Sequence, residues 1–201
     1  MATAMTHGRL SVQVDEARDL RTVVLLSGGV DSAALVRYYL DQRFHMTGLF
    51  IDYGQLAMAN EERAATSVAS HFGITLDKAR FEANQRFGPG EIRGRNAFLA
   101  VSALLVYPKL TGIVALGIHS GVSYYDCSES FAKTMDTILS EYTDGSVRFD
   151  APFLKWDKAM VFAYCRSTNV PLHLTYSCET GSYPPCGSCP SCQDRKAFDA
   201  C

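Results

Sequence analysis

No apolar stretch in this chain approaches the ~20 residues that a helix needs to cross a bilayer, so no membrane partner is expected. Met1 to Gly8 has neither a basic segment nor an apolar core. A secretory leader is therefore not expected, and the expected location is cytoplasmic. An excess of one charge sign is also missing: 19 Lys and Arg stand against 21 Asp and Glu, a net charge of −2. That balance removes the broad positive field on which nucleic-acid binding commonly rests. Internal repeats, low-complexity tracts and long linkers are absent as well. What is present is a 47% hydrophobic fraction in 201 residues. That is enough for one domain with a sizeable core and a small appendage. Seven cysteines are many for a reducing compartment unless some of them bind metal.

Strand-like and helix-like segments alternate along the chain. Residues 10–14 alternate with period two and suggest a short leading strand. Residues 22–26 form a continuous apolar run, as expected of a strand buried on both faces. Helices are expected over 31–41, 57–72, 95–107, 129–141 and 157–168, and strands over 46–51, 74–79, 112–118 and 147–151. In the helix at 95–107, Ala97, Phe98, Val101, Leu104 and Leu105 share one face. The βαβαβα order predicts an α/β, Rossmann-like parallel sheet with helices on both faces. Composition shifts near 176, where cysteine, glycine and proline become dense. The expected division is therefore a nucleotide-binding domain over 1–175 and a small cysteine region over 176–201, packed on it.

Ligands of open α/β sheets sit beyond the carboxyl ends of the strands. The first such loop is Ser27-Gly28-Gly29-Val30-Asp31-Ser32, following Leu26. A buried strand runs there into a glycine turn and a helix start, a geometry suited to phosphate. No Gly-Lys-Ser/Thr follows, so it is not a Walker loop; it resembles the PP-loop of enzymes that split ATP into AMP and pyrophosphate. The second loop is Asp52-Tyr53-Gly54-Gln55. Asp52 suits a ribose hydroxyl or Mg²⁺, and Tyr53 suits a flat ring; a plain polar turn is the simpler reading. The third is Arg93-Gly94-Arg95-Asn96, where two arginines at a helix start oppose the dipole and would welcome an anion. The fourth runs from His119 through Asp126 and Cys127, and the fifth holds Lys158, a candidate phosphate contact. Packing is the expected role of Cys127.

Cys178, Cys186, Cys189 and Cys192 form a C-x7-C-x2-C-x2-C pattern. Four thiolates at this density match a tetrahedral structural Zn²⁺ site. Disulfides and a redox pair are the other readings. Cys165 is expected in the core and the terminal Cys201 free. Read alone, the cluster also suits a zinc ribbon that binds nucleic acid, with only Arg195 and Lys196 beside it.

Taken together, these motifs resemble the 7-cyano-7-deazaguanine synthase (QueC) family of the PP-loop ATP pyrophosphatase superfamily. The resemblance spans about Thr22 to Ala197. It rests on LLSGGVDS (25–32), FIDYGQ (50–55), RGRNAFL (93–99), YDCSESF (125–131), APFLKWDKA (151–159) and LTYSC…CGSCPSCQDRKAF (174–198). It implies an adenine nucleotide alpha hydrolase-like fold and ATP-driven conversion of 7-carboxy-7-deazaguanine with ammonia to the nitrile, by way of the amide. Mg²⁺ would accompany ATP, one structural Zn²⁺ would sit on the four cysteines, and a homodimer is expected. Leu26, Ser27, Gly28, Gly29, Val30, Asp31 and Ser32, with Asp52 and Tyr53, would hold ATP. Asp31, Ser32 and Lys158 would be catalytic. Gln55, Arg95, Asn96, His119 and Asp126 would meet the second substrate. The chain departs from the family where Arg93 replaces proline, Leu56 and Ala57 replace a segment with histidine, and Ser128 replaces arginine. A QueC-like paralogue of antiviral defence would use the same activation to join a deazaguanine to a protein amine.

Overall fold

The run Val23 to Leu26 sorts the molecule into two layers. Successive strand side chains point to opposite faces, so Val24 and Leu26 enter one core and Val23 and Leu25 the other. The computed structural model describes residues 21–82, 86–121 and 123–198. The strand expected at 10–14 and Cys201 lie outside these residues. Five parallel strands form one sheet: β1 (Arg21–Leu25), β2 (Met46–Asp52), β3 (Thr75–Arg80), β4 (Gly112–Ala115) and β5 (Val147–Asp150). Their order is β3-β2-β1-β4-β5. Connections from β1 therefore lead one way and those into β4 the other, which opens a crevice at the carboxyl ends of β1 and β4.

One face carries α1 (Val30–Asp41), α2 (Met58–Phe72) and α5 (Lys158–Ser167). Their buried residues, among them Leu35, Val68 and Phe162, join Val24 and Ile113. The other face carries α3 (Arg95–Val106) and α4 (Glu129–Tyr142), whose Ala100, Ala103, Met135 and Leu139 pack on Val23, Leu49 and Val114. The Rossmann-like parallel sheet expected from the segment order is thus present, with helices on both faces. Cys165 is fully buried in α5, as expected of a small core residue.

Three details differ from the sequence reading. The strand at 112–118 keeps its ladder only to Ala115; Leu116 still bonds the Asp150 carbonyl, and the chain then leaves the sheet to border the crevice. In α3 the most deeply buried row is Asn96, Ala100 and Ala103; Ala97, Val101 and Leu104 of the expected face pack partly buried against the same core, whereas Phe98 and Leu105 are exposed. The helix is apolar almost all round, so periodicity alone could not choose its inner face; small residues win because they let it lie close to the sheet. The cysteine region also contains an unanticipated helix, α6 (Pro190–Phe198), opened by proline at its first position.

Candidate active site

The turn after β1 is shaped by what stands behind it. Gly28 has φ +81°, and a Cβ there would lie 2.5 Å from the Ala65 nitrogen and 2.6 Å from the Glu61 carbonyl of α2. Conformation and close packing both demand glycine. Gly29 caps α1 in an extended conformation and, lacking a side chain, leaves the first N–H groups of the helix without a side-chain cap. The N–H groups of Val30, Asp31 and Ser32 thus begin the helix with no carbonyl one turn earlier. They carry the positive end of the helix dipole into the crevice. Ser32 Oγ donates to the Gly29 carbonyl at 3.0 Å and stands 3.3 Å from Ser27 Oγ. Leu26, 1% exposed, forms the floor.

Charge is added from across the sheet. Lys158, the first residue of α5, donates to both Asp31 oxygens at 2.7 and 3.0 Å. Gly117 permits this crowding: a Cβ there would sit 2.9 Å from the Asp31 carbonyl oxygen. His119 follows, with Nδ1 accepting from the Gly121 N–H at 3.0 Å. Burial holds its pKa below the usual imidazole value; the Asp31 carboxylate opposes this and the Lys158 cation reinforces it.

The facing wall is made of side chains. Tyr53, Gln55, Glu61, Arg95, Asn96 and Leu99 line the same cleft as Ser27, Gly29, Asp31 and Ser32. Gln55 is buried and fully engaged. Its Oε1 accepts from the Tyr53 N–H at 2.9 Å, and its Nε2 donates to the Ile51 carbonyl and to Glu61 Oε2, both at 3.1 Å. The buried Asn96 donates to the Asp126 carbonyl at 3.2 Å and accepts from Arg95 Nε at 3.3 Å. The Tyr53 ring packs against Phe87 and Phe98. Burial pushes its phenol pKa up while Arg95 pulls it down.

Six candidates are not among the residues that line this cleft: Gly28, Val30, Asp52, His119, Asp126 and Lys158, the last joined to it through Asp31. Asp52 accepts from the Gly54 N–H at 3.0 Å and pairs with Arg80 at 3.3 Å, and it is not a lining residue. His119 and Asp126 also lie outside the lining. The neighbouring Cys127 thiol is pushed up to about 11, by burial first and then by Asp126, so it is a poor nucleophile near neutrality. Glu61 went unnoticed in the sequence. It lies in the first turn of α2 and is followed by Glu62, and such an acidic pair reads as a solvated helix start; only the fold turns Glu61 inward. Gly117 did leave a signal, as the glycine near the end of an apolar run.

The four cysteines come together, with their sulfur atoms all within 4.8 Å of one another. A tetrahedral ion with metal–sulfur bonds of about 2.3 Å holds its sulfurs about 3.8 Å apart, and Cys186 and Cys192 are at 3.9 Å. Cys178 Sγ accepts from the Cys186 N–H at 3.3 Å, and Cys186 Sγ accepts from the N–H groups of Ser188 at 3.5 Å and Cys189 at 3.3 Å. Burial would raise the Cys178 pKa, but the Cys186 N–H and the Thr180 and Ser182 hydroxyls outweigh it and bring it to about 5. The donor set therefore fits a metal ion. The cluster packs with Ala57, Ala64 and Tyr176, and the Tyr176 N–H donates to the Gly28 carbonyl at 2.9 Å. The cysteine region is thus fastened to the glycine turn itself.

A parallel sheet of this order, with an SGGVDS turn at its crevice, defines the PP-loop class of ATP-dependent enzymes. The solved structures that it resembles include the NMN synthetase of Francisella tularensis, with a TM-score of 0.52 and 15% identity over 83% of this chain and 68% of that one. The U34-tRNA thiolase NcsA of Methanococcus maripaludis, solved with its [4Fe-4S] cluster, gives a TM-score of 0.50 and 15% identity over 91% of this chain and 65% of that one. The family model described as "Queuosine biosynthesis protein QueC" matches residues 21–92 and 84–200, and the chain belongs to this family. Its relatives include the 7-cyano-7-deazaguanine synthase of Synechococcus sp. (strain RCC307), 30% identical over 88% of this chain and 92% of the relative. The enzyme of that name from Prochlorococcus marinus (strain NATL2A) is 26% identical over 87% of this chain and 90% of the relative. The chain is a ligase-type, ATP-dependent enzyme of the QueC family. Among the described residues no helix is long and apolar enough to cross a membrane.

Proposed function

We propose that this enzyme converts 7-carboxy-7-deazaguanine to 7-cyano-7-deazaguanine with ATP and ammonia. The observation that carries the reading is the single cleft in which an anion-binding helix start faces Arg95, Asn96 and Tyr53. A carboxylate is a poor electrophile, so its oxygen first attacks the α-phosphorus of ATP and pyrophosphate leaves. The N–H groups of α1, the Ser27 and Ser32 hydroxyls and Lys158 hold the charge that develops on the pyrophosphate. Asp31 keeps the Lys158 ammonium in place. Arg95 orients the carboxylate. Ammonia then attacks the acyl carbon, AMP departs, and the amide results. A second ATP activates the amide oxygen; loss of AMP and the remaining N–H protons gives the nitrile. No covalent protein nucleophile is required, and positioning supplies much of the rate.

Mg²⁺ would enter on the ATP phosphates, with Asp31 the acid at that end of the cleft. Zn²⁺ is the metal we assign to Cys178, Cys186, Cys189 and Cys192. The close approach of the four sulfurs supports a single ion, because a multi-iron cluster holds its thiolates farther apart. With four protein ligands the ion's role is structural. The cytoplasm is the proposed compartment, where such thiols stay reduced. A nucleic-acid role for the cysteine region finds no support in its cations: Arg195 bonds Thr175 and the Leu172 carbonyl, and Lys196 bonds the Gly187 carbonyl.

The test is purified enzyme with ATP, Mg²⁺, 7-carboxy-7-deazaguanine and ammonium, followed by AMP and product mass. The nitrile is expected with two AMP per turnover. AMP release that depends on an added protein amine, with a mass adduct on that protein, would replace this reading.

A further inference from the structure

We infer that Glu61 is the group that selects the heterocycle, accepting hydrogen bonds from adjacent ring N–H and exocyclic amino donors such as those of a guanine-type edge. The inference rests on the function proposed above and gives the ring end of that same site its recognition group.

Glu61 lines the cleft from the first turn of α2. Among the described residues the one hydrogen-bond partner of its carboxylate is Gln55, whose Nε2 donates to Oε2 at 3.1 Å. Gln55 in turn is fixed by the Ile51 carbonyl and the Tyr53 N–H. A buried amide with every polar group engaged thus has a plain purpose, which is to aim the carboxylate. A carboxylate has about four acceptor positions and, when ionised, no donor, so most of its capacity faces the cleft. Burial raises the Glu61 pKa, while the Gln55 amide and the Arg95 cation favour the charged form.

Charge on the other side of the cleft narrows the ligand further. Arg95 lies within electrostatic reach of Glu61, yet no ion pair joins them among the described residues. Two opposite charges kept apart in one cleft suit a flat ligand with an anionic substituent on one side and N–H donors on another. The purine of ATP fits Glu61 less well. Its outer edge sets an amino donor beside a ring nitrogen acceptor, and the acceptor would face an acceptor-only carboxylate. A 2-amino-4-oxo ring offers two adjacent donors. Tyr53, held against Phe87 and Phe98, supplies an aromatic surface in the same cleft.

Glu61→Gln tests this, because the new carbonyl can still accept from Gln55 while its amide puts a donor where an acceptor stood. Calorimetric binding of 7-carboxy-7-deazaguanine is compared with binding of the same compound lacking its 2-amino group, alongside AMP formation. The wild type should prefer the amino compound by about 10- to 100-fold, the value of hydrogen bonds to a charged group. The variant should narrow that gap to about threefold or less, with the ATP KM changed less than about twofold. Glu61→Asp keeps the acceptor on a shorter arm and should preserve the preference with weaker binding, which guards against a folding failure of the first variant. An undiminished preference in Glu61→Gln overturns the assignment, as does a raised ATP KM with the preference intact. Selective ring binding by a wild type that forms no AMP removes the proposed reaction while upholding Glu61. Normal AMP formation with an unaltered preference in the variant does the reverse.

Discussion

At the end of the cleft proposed for phosphate the binding groups are mostly backbone, while at the end proposed for the ring they are side chains. The turn from Ser27 to Ser32 is six consecutive residues whose N–H groups and hydroxyls are set by one strand, one helix and a glycine pressed on α2. The opposite wall gathers Tyr53 and Gln55 from the exit of β2, Glu61 from α2, and Arg95 and Asn96 from the head of α3. A backbone cradle has little freedom to change what it binds. A wall of side chains from three elements can change its ligand by single substitutions.

The largest effect is expected where charge and backbone meet. Lys158→Ala should lower AMP formation by about 100- to 1000-fold. It should cost only about 1–2 kcal/mol of stability, since the Asp31–Lys158 pair is partly solvated. Steady-state AMP release and thermal unfolding read the two quantities; normal turnover would remove Lys158 from the phosphate end. Gly28→Ala should follow closely, because the Cβ meets the α2 backbone at 2.5 Å. A loss of about 2–4 kcal/mol with weakened ATP binding is expected, and unaltered ATP affinity would show that the turn tolerates a shift.

A moderate effect should cross from the cysteine region to the turn. Cys189→Ala, or chelation of the metal, should lower Tm on the order of 10 °C. It should also raise the ATP KM several-fold, because Tyr176 ties that region to the Gly28 carbonyl. A drop in Tm without any change in KM would mean that the two regions are joined only mechanically.

The smallest effect belongs far from either end of the cleft. Asp136 is partly buried, which opposes ionisation, but the Arg148 guanidinium and the Phe149 N–H outweigh this and hold its pKa below the ordinary 3.8. A depressed carboxylate stabilises the fold above its unfolded value and loses that contribution as pH falls through its folded value. Asp136→Asn should therefore cost about 0.5–1 kcal/mol near pH 7 and nothing at the acid end. Denaturant melts at several pH values would show this, with kcat unchanged. A cost that persists below pH 3 would assign the effect to packing instead of charge.

Legibility followed the same division. The Ser27–Ser32 turn, the continuous apolar run at 22–26 and the four cysteines are local patterns, legible in the sequence. The expected sheet rests on short apolar runs that alternate with helix-like segments, an order that favours a parallel sheet. The inner face of α3 is legible only in part: Ala97, Val101 and Leu104 pack on the core as expected, but an all-round apolar helix leaves the deepest row to the steric fit of Ala100 and Ala103. Glu61 was not readable. Its inward aim depends on Gln55, six residues earlier, and on the packing of α2 against Gly28. Asp52 illustrates the converse: a strand-end acid of the expected type is occupied by its own turn and by Arg80.

The most direct measurement is mass spectrometry of the products formed by wild-type enzyme from ATP, Mg²⁺, ammonium and 7-carboxy-7-deazaguanine, with AMP counted in the same samples. The expected result is 7-cyano-7-deazaguanine, the amide as a transient, and two AMP for each nitrile. ATP cleaved to ADP, or AMP released with the ring's carboxylate unaltered in mass, would contradict the proposed reaction.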